Sequence, residues 1–343
     1  MRQLLNTLFV TQEDMYLSLD GDNVVLLQNE KRVARLPLHN IESIITFGYT
    51  GASPALMGYC AERNISIVFL TRTGRFLARV IGEIRGNVLL RKKQYQISEN
   101  IRSSAIISRN FLLGKIFNQK WMIERMTRDH PLRINIDEFK DISKQLSFVL
   151  NELRNCDDLE SIRGWEGQAA NSYNKIFNQM ILQQKDDFYF ASRTRRPPLD
   201  RVNAMLSFGY TLLAHDTASA LESVGLDAYV GFLHRDRPGR PSLALDVMEE
   251  LRGIFVDRFV LSLINRKTIK RSHFKIKENK AVLLNEDGRK VFLESWHNKK
   301  QEKINHPYLQ ERISWGLVPY AQALLLARFL RGDIDEYPPF LWK

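Results

Sequence analysis

The sequence predicts an α+β protein of two domains, an N-terminal β-rich domain followed by an all-α domain. Its 343 residues are more than one small domain usually holds. Short runs rich in Val, Ile, Leu and Phe, separated by turn residues, fill the first part of the chain. Further on, apolar residues recur with the period of a helix. We therefore predict the β-rich domain at residues 1–82, a linker at 83–95 and the helical domain at 96–343.

The N-terminal domain is predicted to contain short strands and one helix. Asp20 and Gly21 lie between two apolar runs, which is a hairpin signal. Ser53–Arg63 has helical spacing, with Leu56 and Cys60 on one face. The predicted strands are Leu4–Val10, Met15–Leu19, Val24–Leu27, Val33–Leu36, Ile41–Phe47, Ile65–Leu70 and Arg75–Val80.

The C-terminal domain is predicted to be helical because its long periodic segments are separated by Gly and Pro. Gly225–Arg240 interrupts them as a loop, and the basic, Pro-rich Arg193–Pro198 is a second interruption. The predicted helices are Ile97–Phe117, Ile136–Leu153, Ile162–Leu182, Val202–Ser223, Leu243–Leu263 and Pro319–Leu330.

The composition indicates a folded protein with a polyanionic partner. Apolar residues make up 44% and charged residues 26%, which excludes disorder as the dominant state. The net charge of +11 favours nucleic acid first and an anionic membrane surface second. Cys60 and Cys156 are too few for a disulfide framework or a four-thiolate zinc site. We see no secretory signal and no membrane-spanning run, so we expect a cytoplasmic protein without a membrane partner.

Several catalytic motifs are absent from the sequence. It contains no GxxxxGK[ST] loop, no GxGxxG after a strand, and no HExxH, CxxC or GxSxG. These absences argue against nucleotide-driven, dinucleotide-dependent and hydrolase-triad chemistry.

One loop histidine and a group of carboxylates remain as candidates for chemistry. His234 lies in GFLHRDRPGR, directly before a predicted helix that carries Asp246, Glu249 and Glu250. Their spacing of i, i+3 and i+4 places the three acids on one face of an otherwise apolar helix. One interpretation is a solvated stripe near the positive end of the helix dipole. The other is a divalent-metal site formed by carboxylates and one imidazole.

Glu166 is a further candidate, flanked by Gly164 and Gly167 in RGWEGQAANSY. Small residues nearby allow close backbone approach, so its carboxylate could enter a shared cavity; alternatively, it faces water.

Arginines bracket His234, and cations beside a carboxylate–metal cluster are suited to holding a phosphodiester. The predicted DNA-binding arginines are Arg235, Arg237 and Arg240.

Blocks spread over the chain resemble the CRISPR-associated integrase, the metal-dependent endonuclease of spacer acquisition and protein One of the CRISPR-associated series. These blocks are GWEGQAANSYNKIF, VNAMLSFGYTLL and GLDAYVGFLHRDRPGRPSLALDVMEELR. The N-terminal LPLHNIESIITFG and AERNISIVFLTRTGRFLARV resemble the β-rich domain of that family. The length and the YPPFLWK tail are similar to its subtype I-C branch.

The resemblance implies a mechanism and its site residues. It implies that Glu166, His234 and Glu249 are catalytic and bind Mg²⁺ or Mn²⁺, and that Asp246 supports them. Many relatives have Asp at the third ligand position, so Glu249 is a departure that adds one methylene. Glu250 is a second supporting acid, because the sequence alone does not separate it from Glu249. The implied reaction is attack of a DNA 3′-hydroxyl on a phosphodiester of the CRISPR repeat, which inserts short duplex DNA into the array.

The resemblance also implies partners. The protein would be a homodimer paired through its N-terminal domains. Two such dimers would assemble as a heterohexamer around a dimer of the small second CRISPR adaptation protein, on double-stranded DNA. Two other functions remain open from the residues: an unrelated metal-dependent nuclease acting on RNA or branched DNA, and a non-catalytic basic DNA-binding protein whose acids form only a solvated face.

Overall fold

In the computed structural model of this chain, the described residues are 7–12, 14–41, 43–63, 65–71, 76–80, 82 and 88–343. They confirm the predicted α+β class, with a β-rich N-terminal region followed by helices. The start of the first predicted strand and residues 83–87 of the predicted linker lie outside the described residues. No helix within the described ranges is both long and apolar enough to cross a bilayer.

The chain divides into two compact units. One contains Met1–Arg85, Leu284–Lys303 and Ser314–Leu317, and the other contains Gly86–Leu283, Ile304–Ile313 and Val318–Lys343. The first break lies close to the predicted end of the β-rich domain, but two later segments also belong to that unit. Part of the predicted linker is helical, because a helix begins at Val88. The predicted division at 82 and 95 stays a prediction.

The described elements of residues 7–82 are β1 Thr7–Val10, β2 Met15–Asp20, β3 Asn23–Gln28, β4 Lys31–Pro37, β5 Ser43–Phe47, α1 Pro54–Glu62, β6 Ser66–Leu70 and β7 Phe76–Val80. These seven strands form two sheets. In one, β1, β5 and β6 are parallel neighbours and β7 pairs antiparallel with β6; in the other, β2, β3 and β4 form an antiparallel meander. Helix α1 begins where Ser53 Oγ accepts a hydrogen bond from Leu56 N at 3.2 Å.

Helices dominate the rest of the chain, as the periodicity predicts. Short strands interrupt them near the C-terminus: β8 Phe274–Ile276, β9 Val282–Leu284, β10 Lys303–Asn305 and β11 Arg312–Ser314. Helix α9, Glu286–Gln301, belongs to the first unit and had no predicted counterpart. The other helices are α2 Val88–Glu99, α3 Ile101–Asp129, α4 Ile136–Arg154, α5 Leu159–Phe177, α6 Arg201–Ser223, α7 Ser242–Leu251, α8 Arg258–Asn265 and α10 Val318–Arg331.

Between α7 and α8, the chain forms a π-helical segment, Arg252–Asp257, inside what the periodicity predicts as one helix. π-Helical turns are rare and occur frequently at functional sites. Asp257, at the end of this segment, is buried and accepts hydrogen bonds from Tyr173 of α5, at 3.1 Å, and from Tyr210 of α6. The carboxylate therefore joins two helices to the π-helical segment.

Asp257 gives an expected pH dependence of stability. Burial raises its pKa from 3.8 to about 6, although the two tyrosine hydroxyls oppose this. Below about pH 4 the carboxyl group is protonated in both folded and unfolded states. As the pH rises from about 4 to about 6, the carboxyl group ionises in the unfolded chain but stays protonated in the folded one, so stability is lost over this range. Asp257→Asn cannot ionise, so its melting temperature relative to wild type is expected to rise between about pH 4 and pH 6.

Thermal unfolding of both proteins across this pH range measures the effect. Asp141→Asn is the control, because Asp141 is exposed on α4. A constant difference between Asp257→Asn and wild type across the range would contradict the assignment of a buried, raised-pKa carboxyl group.

Candidate active site

Helix α7 contributes two buried carboxylates to the site. Asp246 is 0% exposed and Glu249 is 2% exposed. The interpretation of these acids as a solvated stripe is therefore wrong. The hypothesis of a non-catalytic DNA-binding protein loses its support, because it required these acids to form a solvated face. Buried charges require partners, and the partners of these two carboxylates define the site.

Asp246 holds the loop that carries His234. Its carboxylate accepts hydrogen bonds from the backbone N–H groups of Phe232, Leu233 and His234 at 2.7, 2.9 and 3.0 Å. Gly231 allows this close approach, because a Cβ atom there would lie 2.8 Å from Asp246 Oδ2. Gly231 is thus required by the carboxylate that the loop surrounds.

The same carboxylate orients the imidazole. His234 Nδ1 lies 2.5 Å from Asp246 Oδ1. A carboxylate can only accept, so in the neutral ring the proton resides on Nδ1 and Nε2 keeps its lone pair. Nε2 lies 4.0 Å from Glu249 Oε1. Asp246 therefore orients the His234 ring, while its supporting role in a metal site stays a prediction.

Glu249 lies among cations. Its carboxylate oxygens are 2.9 Å from Lys115 Nζ and 3.1 Å from an Arg252 guanidinium nitrogen. Burial alone raises the pKa of this carboxyl group, but Arg252, Lys115 and His234 together lower it to about 2. Glu249 is therefore ionised at neutral pH in spite of its burial.

Glu166 reaches the same place from helix α5. Its side chain is 34% exposed, and its carboxylate accepts a hydrogen bond from Lys115. On the same helix, Arg163 donates from Nε and Nη2 to the backbone oxygen of Leu233, at 3.0 and 2.6 Å. This contact joins the helix that carries Glu166 to the loop that carries His234. Glu166 does not simply face water.

The structure thus brings Glu166, His234 and Glu249 together from α5, a loop and α7. As these side chains lie, no three His, Cys, Asp or Glu residues in the described part of the chain form a metal-binding group. The Lys115 ammonium contacts the carboxylates of both Glu166 and Glu249 instead. Their assignment as metal ligands and catalytic residues stays a prediction.

The residues nevertheless suit a divalent cation. Two carboxylates with one imidazole are a donor set that Mn²⁺ or Mg²⁺ can use. Glu249 Oε2 is buried, and the Lys115 ammonium lies 2.9 Å from it. A divalent ion that replaced this ammonium would find an ionised carboxylate oxygen as a ligand.

Arg240, in the His234 loop, interacts electrostatically with the buried Asp246 and with other arginines. Desolvation lowers the pKa of Arg240, and repulsion from Arg237, Arg252 and Arg195 lowers it further. The basic Pro-rich loop and the His234 loop therefore place their positive charges close enough to interact. Such a cluster can hold phosphate oxygens.

Arg235 has a different surrounding. Its guanidinium group pairs with Glu160 of α5 at 3.1 Å, and Glu160 also pairs with Arg163. Both partners of the Arg235 pair are largely exposed. Binding of DNA by Arg235, Arg237 and Arg240 stays a prediction.

The prediction of Glu250 as a supporting acid of this site is wrong. Its buried carboxylate accepts hydrogen bonds from Tyr337 Oη at 2.6 Å, Phe340 N at 2.7 Å and Gln322 Nε2 at 2.8 Å. Adjacent helical residues point about 100° apart, so Glu249 and Glu250 have different neighbours. Glu250 binds the C-terminal segment, and burial raises its pKa to about 8.

Sequence reasoning missed Lys115 and Arg252. Helical spacing could have shown that Lys115 is buried, because it follows Ser104, Ser108 and Phe111 on one buried face of α3. A lysine at such a position needs carboxylate partners. No comparable signal existed for Arg252, whose direction depends on the π-helical segment.

Comparison with known proteins identifies the family. The family described as CRISPR associated protein Cas1 matches residues 8–298. The chain is 49% identical over 347 residues to the CRISPR-associated endonuclease Cas1 2 of Rhodospirillum rubrum, covering 100% of both proteins. The chain belongs to the Cas1 family. It is thus one of the Cas1 endonucleases, which confirms the family read from the sequence, while the subtype stays a prediction.

Two solved structures share the Cas1 fold of this chain. A casposase bound to its integration product matches with a TM-score of 0.84 and 23% identity, over 98% of this chain and 93% of that one. A Cas6–RT–Cas1–Cas2 complex matches with a TM-score of 0.81 and 21% identity, over 100% of this chain and 36% of that one. At these identities the likeness extends to the fold alone.

Proposed function

We propose that this Cas1 protein is a metal-dependent DNA endonuclease and integrase that inserts short duplex DNA into a CRISPR array. The convergence of Glu166 and Glu249 on one buried ammonium, with His234 Nε2 4.0 Å from Glu249 Oε1, carries the proposal. These residues come from three separate elements, and the fold gathers them beside a cluster of arginines. Ligands for a hard cation and charges for a phosphodiester are what phosphoryl transfer requires.

Each residue has a separate role. Glu166, Glu249 and His234 would hold the divalent cation, the acids through their carboxylates and the histidine through its ring nitrogen that Asp246 leaves free. When bound, Mg²⁺ or Mn²⁺ supplies Lewis acidity to a phosphate oxygen and lowers the pKa of the attacking hydroxyl group. Asp246 keeps the proton on Nδ1 of His234. Arg240 places positive charge where the phosphodiester binds.

The reaction exchanges one phosphodiester for another. The 3′-hydroxyl oxygen of the donor DNA forms a new bond to phosphorus of the repeat backbone. The bond from that phosphorus to the 3′-oxygen of the repeat strand breaks, and the leaving oxygen takes up a proton. The exchange needs no ATP, which agrees with the lack of a GxxxxGK[ST] loop in the sequence.

The proposed partners follow the family. The similarity to the Cas1-containing complex with Cas2 supports Cas2, the small second adaptation protein, as a partner. The DNA-bound casposase supports double-stranded DNA as the substrate. We propose a homodimer paired through residues 1–82, with two dimers around a Cas2 dimer. We further propose that the chain belongs to subtype I-C and acts in the cytoplasm on the chromosomal array.

Joined products test this function. The protein, with Cas2 and Mn²⁺, is incubated with short duplex donors and a labelled target that contains a CRISPR repeat. We expect donor strands joined to the repeat, seen as longer labelled products on a denaturing gel. Cleavage of RNA or branched DNA without joining would instead favour an unrelated metal-dependent nuclease. If the protein bound the DNA but neither joined nor cleaved it, the proposal that it is an enzyme would be contradicted.

A further inference from the structure

Lys115 is a buried cation placed between two proposed metal ligands. Its side chain is 5% exposed. Its ammonium donates to the Glu166 carboxylate and lies 2.9 Å from Glu249 Oε2. The two acceptors come from α5 and α7, whereas Lys115 belongs to α3. One ammonium therefore bridges carboxylates that lie far apart in the sequence.

Close helix packing brings Lys115 to this position. A Cβ atom on Gly114 would lie 2.9 Å from Glu250 Cγ, so the glycine allows α3 to approach α7. Farther along, a Cβ atom on Gly253 would lie 3.0 Å from Gln119 Cγ. These contacts place Lys115 where its ammonium reaches the carboxylates of the site.

Charge explains why such a residue is tolerated. Two ionised carboxylates near one buried point repel each other, and a buried ammonium without partners is costly. Pairing Lys115 with the two acids reduces the repulsion between the carboxylates and gives the buried ammonium its partners. A divalent cation bound by Glu166 and Glu249 would use the same oxygens. The ammonium and the metal ion therefore compete for one pair of carboxylates.

We propose that Lys115 is a positioning residue that holds Glu166 and Glu249 in place until a divalent ion replaces its ammonium. This inference rests on the proposed metal site. Lys115 thus lowers the affinity of the site for metal and preserves its geometry in the metal-free protein. On exchange, the ammonium moves away from the carboxylates and becomes accessible.

The test is Mn²⁺ binding by isothermal titration to wild type, Lys115→Met and Glu166→Gln, with no DNA present. Lys115→Met removes the competing charge and keeps the bulk of the side chain. We expect Lys115→Met to bind Mn²⁺ at least about tenfold more tightly than wild type. In wild type, Mn²⁺ must first break the buried ion pairs of Lys115 with Glu166 and Glu249, which opposes binding. The matched control is Lys120→Met on the same helix, where Lys120 pairs with Glu124; its affinity is expected to equal that of wild type.

The outcomes separate this inference from the proposed function. Equal or weaker Mn²⁺ binding by Lys115→Met, with wild type binding normally and Glu166→Gln binding poorly, overturns the role of Lys115 and leaves the metal site standing. Wild type that binds no Mn²⁺, or Glu166→Gln that binds as well as wild type, overturns the metal site and the inference together.

A measurement on wild type covers the case in which Lys115→Met does not fold. Acetic anhydride labels accessible, unpaired lysines, and mass spectrometry locates the label. Acetylation of Lys115 is expected to be slow without metal and to rise severalfold with Mn²⁺, while that of Lys120 stays constant. If Mn²⁺ left the acetylation rate of Lys115 unchanged or lowered it, the ammonium would not be displaced from the carboxylates by the metal ion.

Discussion

Glu166→Gln is expected to abolish strand transfer, with a loss of about 1,000-fold or more. The substitution keeps the shape of the side chain and removes the charge that a divalent ion requires. Metal ions contribute several kcal/mol of charge stabilisation to such transition states, and each 1.4 kcal/mol changes the rate about tenfold. Because Glu166 is 34% exposed, we expect the variant to fold. Joined products from the duplex donor and the repeat target are the measurement.

The same helix supplies the control for this substitution. Glu160→Gln makes the identical chemical change on α5, at an exposed residue that pairs with Arg163 and Arg235. Exposed ion pairs contribute little to stability. Its rate is expected to stay within about twofold of wild type, as for most surface substitutions. If Glu166→Gln matched Glu160→Gln in strand transfer, Glu166 could not be a ligand of the catalytic ion.

The fold class was largely predictable because it depends on local patterns. Periodicity gave helices α3 to α6 within a few residues at most ends, since each has an apolar face against the core. It failed where structure depends on distant parts of the chain. The segment Leu284–Lys303 belongs to the first unit, and no local pattern reports such a return of the chain.

The candidate site was predictable only in part. Glu166, His234 and Glu249 were found by residue type and by resemblance to a family, and the structure brings them close together. Glu250 was wrongly grouped with Glu249, because i, i+3 and i+4 spacing defines a broad face and not a common target. Lys115 was missed because its role arises from packing between α3, α5 and α7.

Asp246→Asn is expected to reduce strand transfer by about 10- to 100-fold, the usual effect of losing a partner that orients a metal ligand. The carboxylate accepts from the His234 ring and from the N–H groups of Phe232, Leu233 and His234. An asparagine offers one acceptor oxygen, and its amide group would face N–H donors. The loop would loosen, and no carboxylate would hold the proton on Nδ1 of the ring.

Two measurements identify this mechanism, because the altered imidazole should weaken metal binding as well as the reaction. We expect Mn²⁺ affinity in the absence of DNA to fall together with the rate for Asp246→Asn. Asp236→Asn, in the same loop but exposed, should leave both unchanged. A variant at Asp246 that lost activity with undiminished Mn²⁺ affinity would show that the carboxylate serves the loop and not the imidazole. That distinction matters because the buried Asp246 carboxylate contacts three backbone N–H groups of the loop and one ring nitrogen of His234. Only the contact to Nδ1 decides whether Nε2 can bind a metal ion.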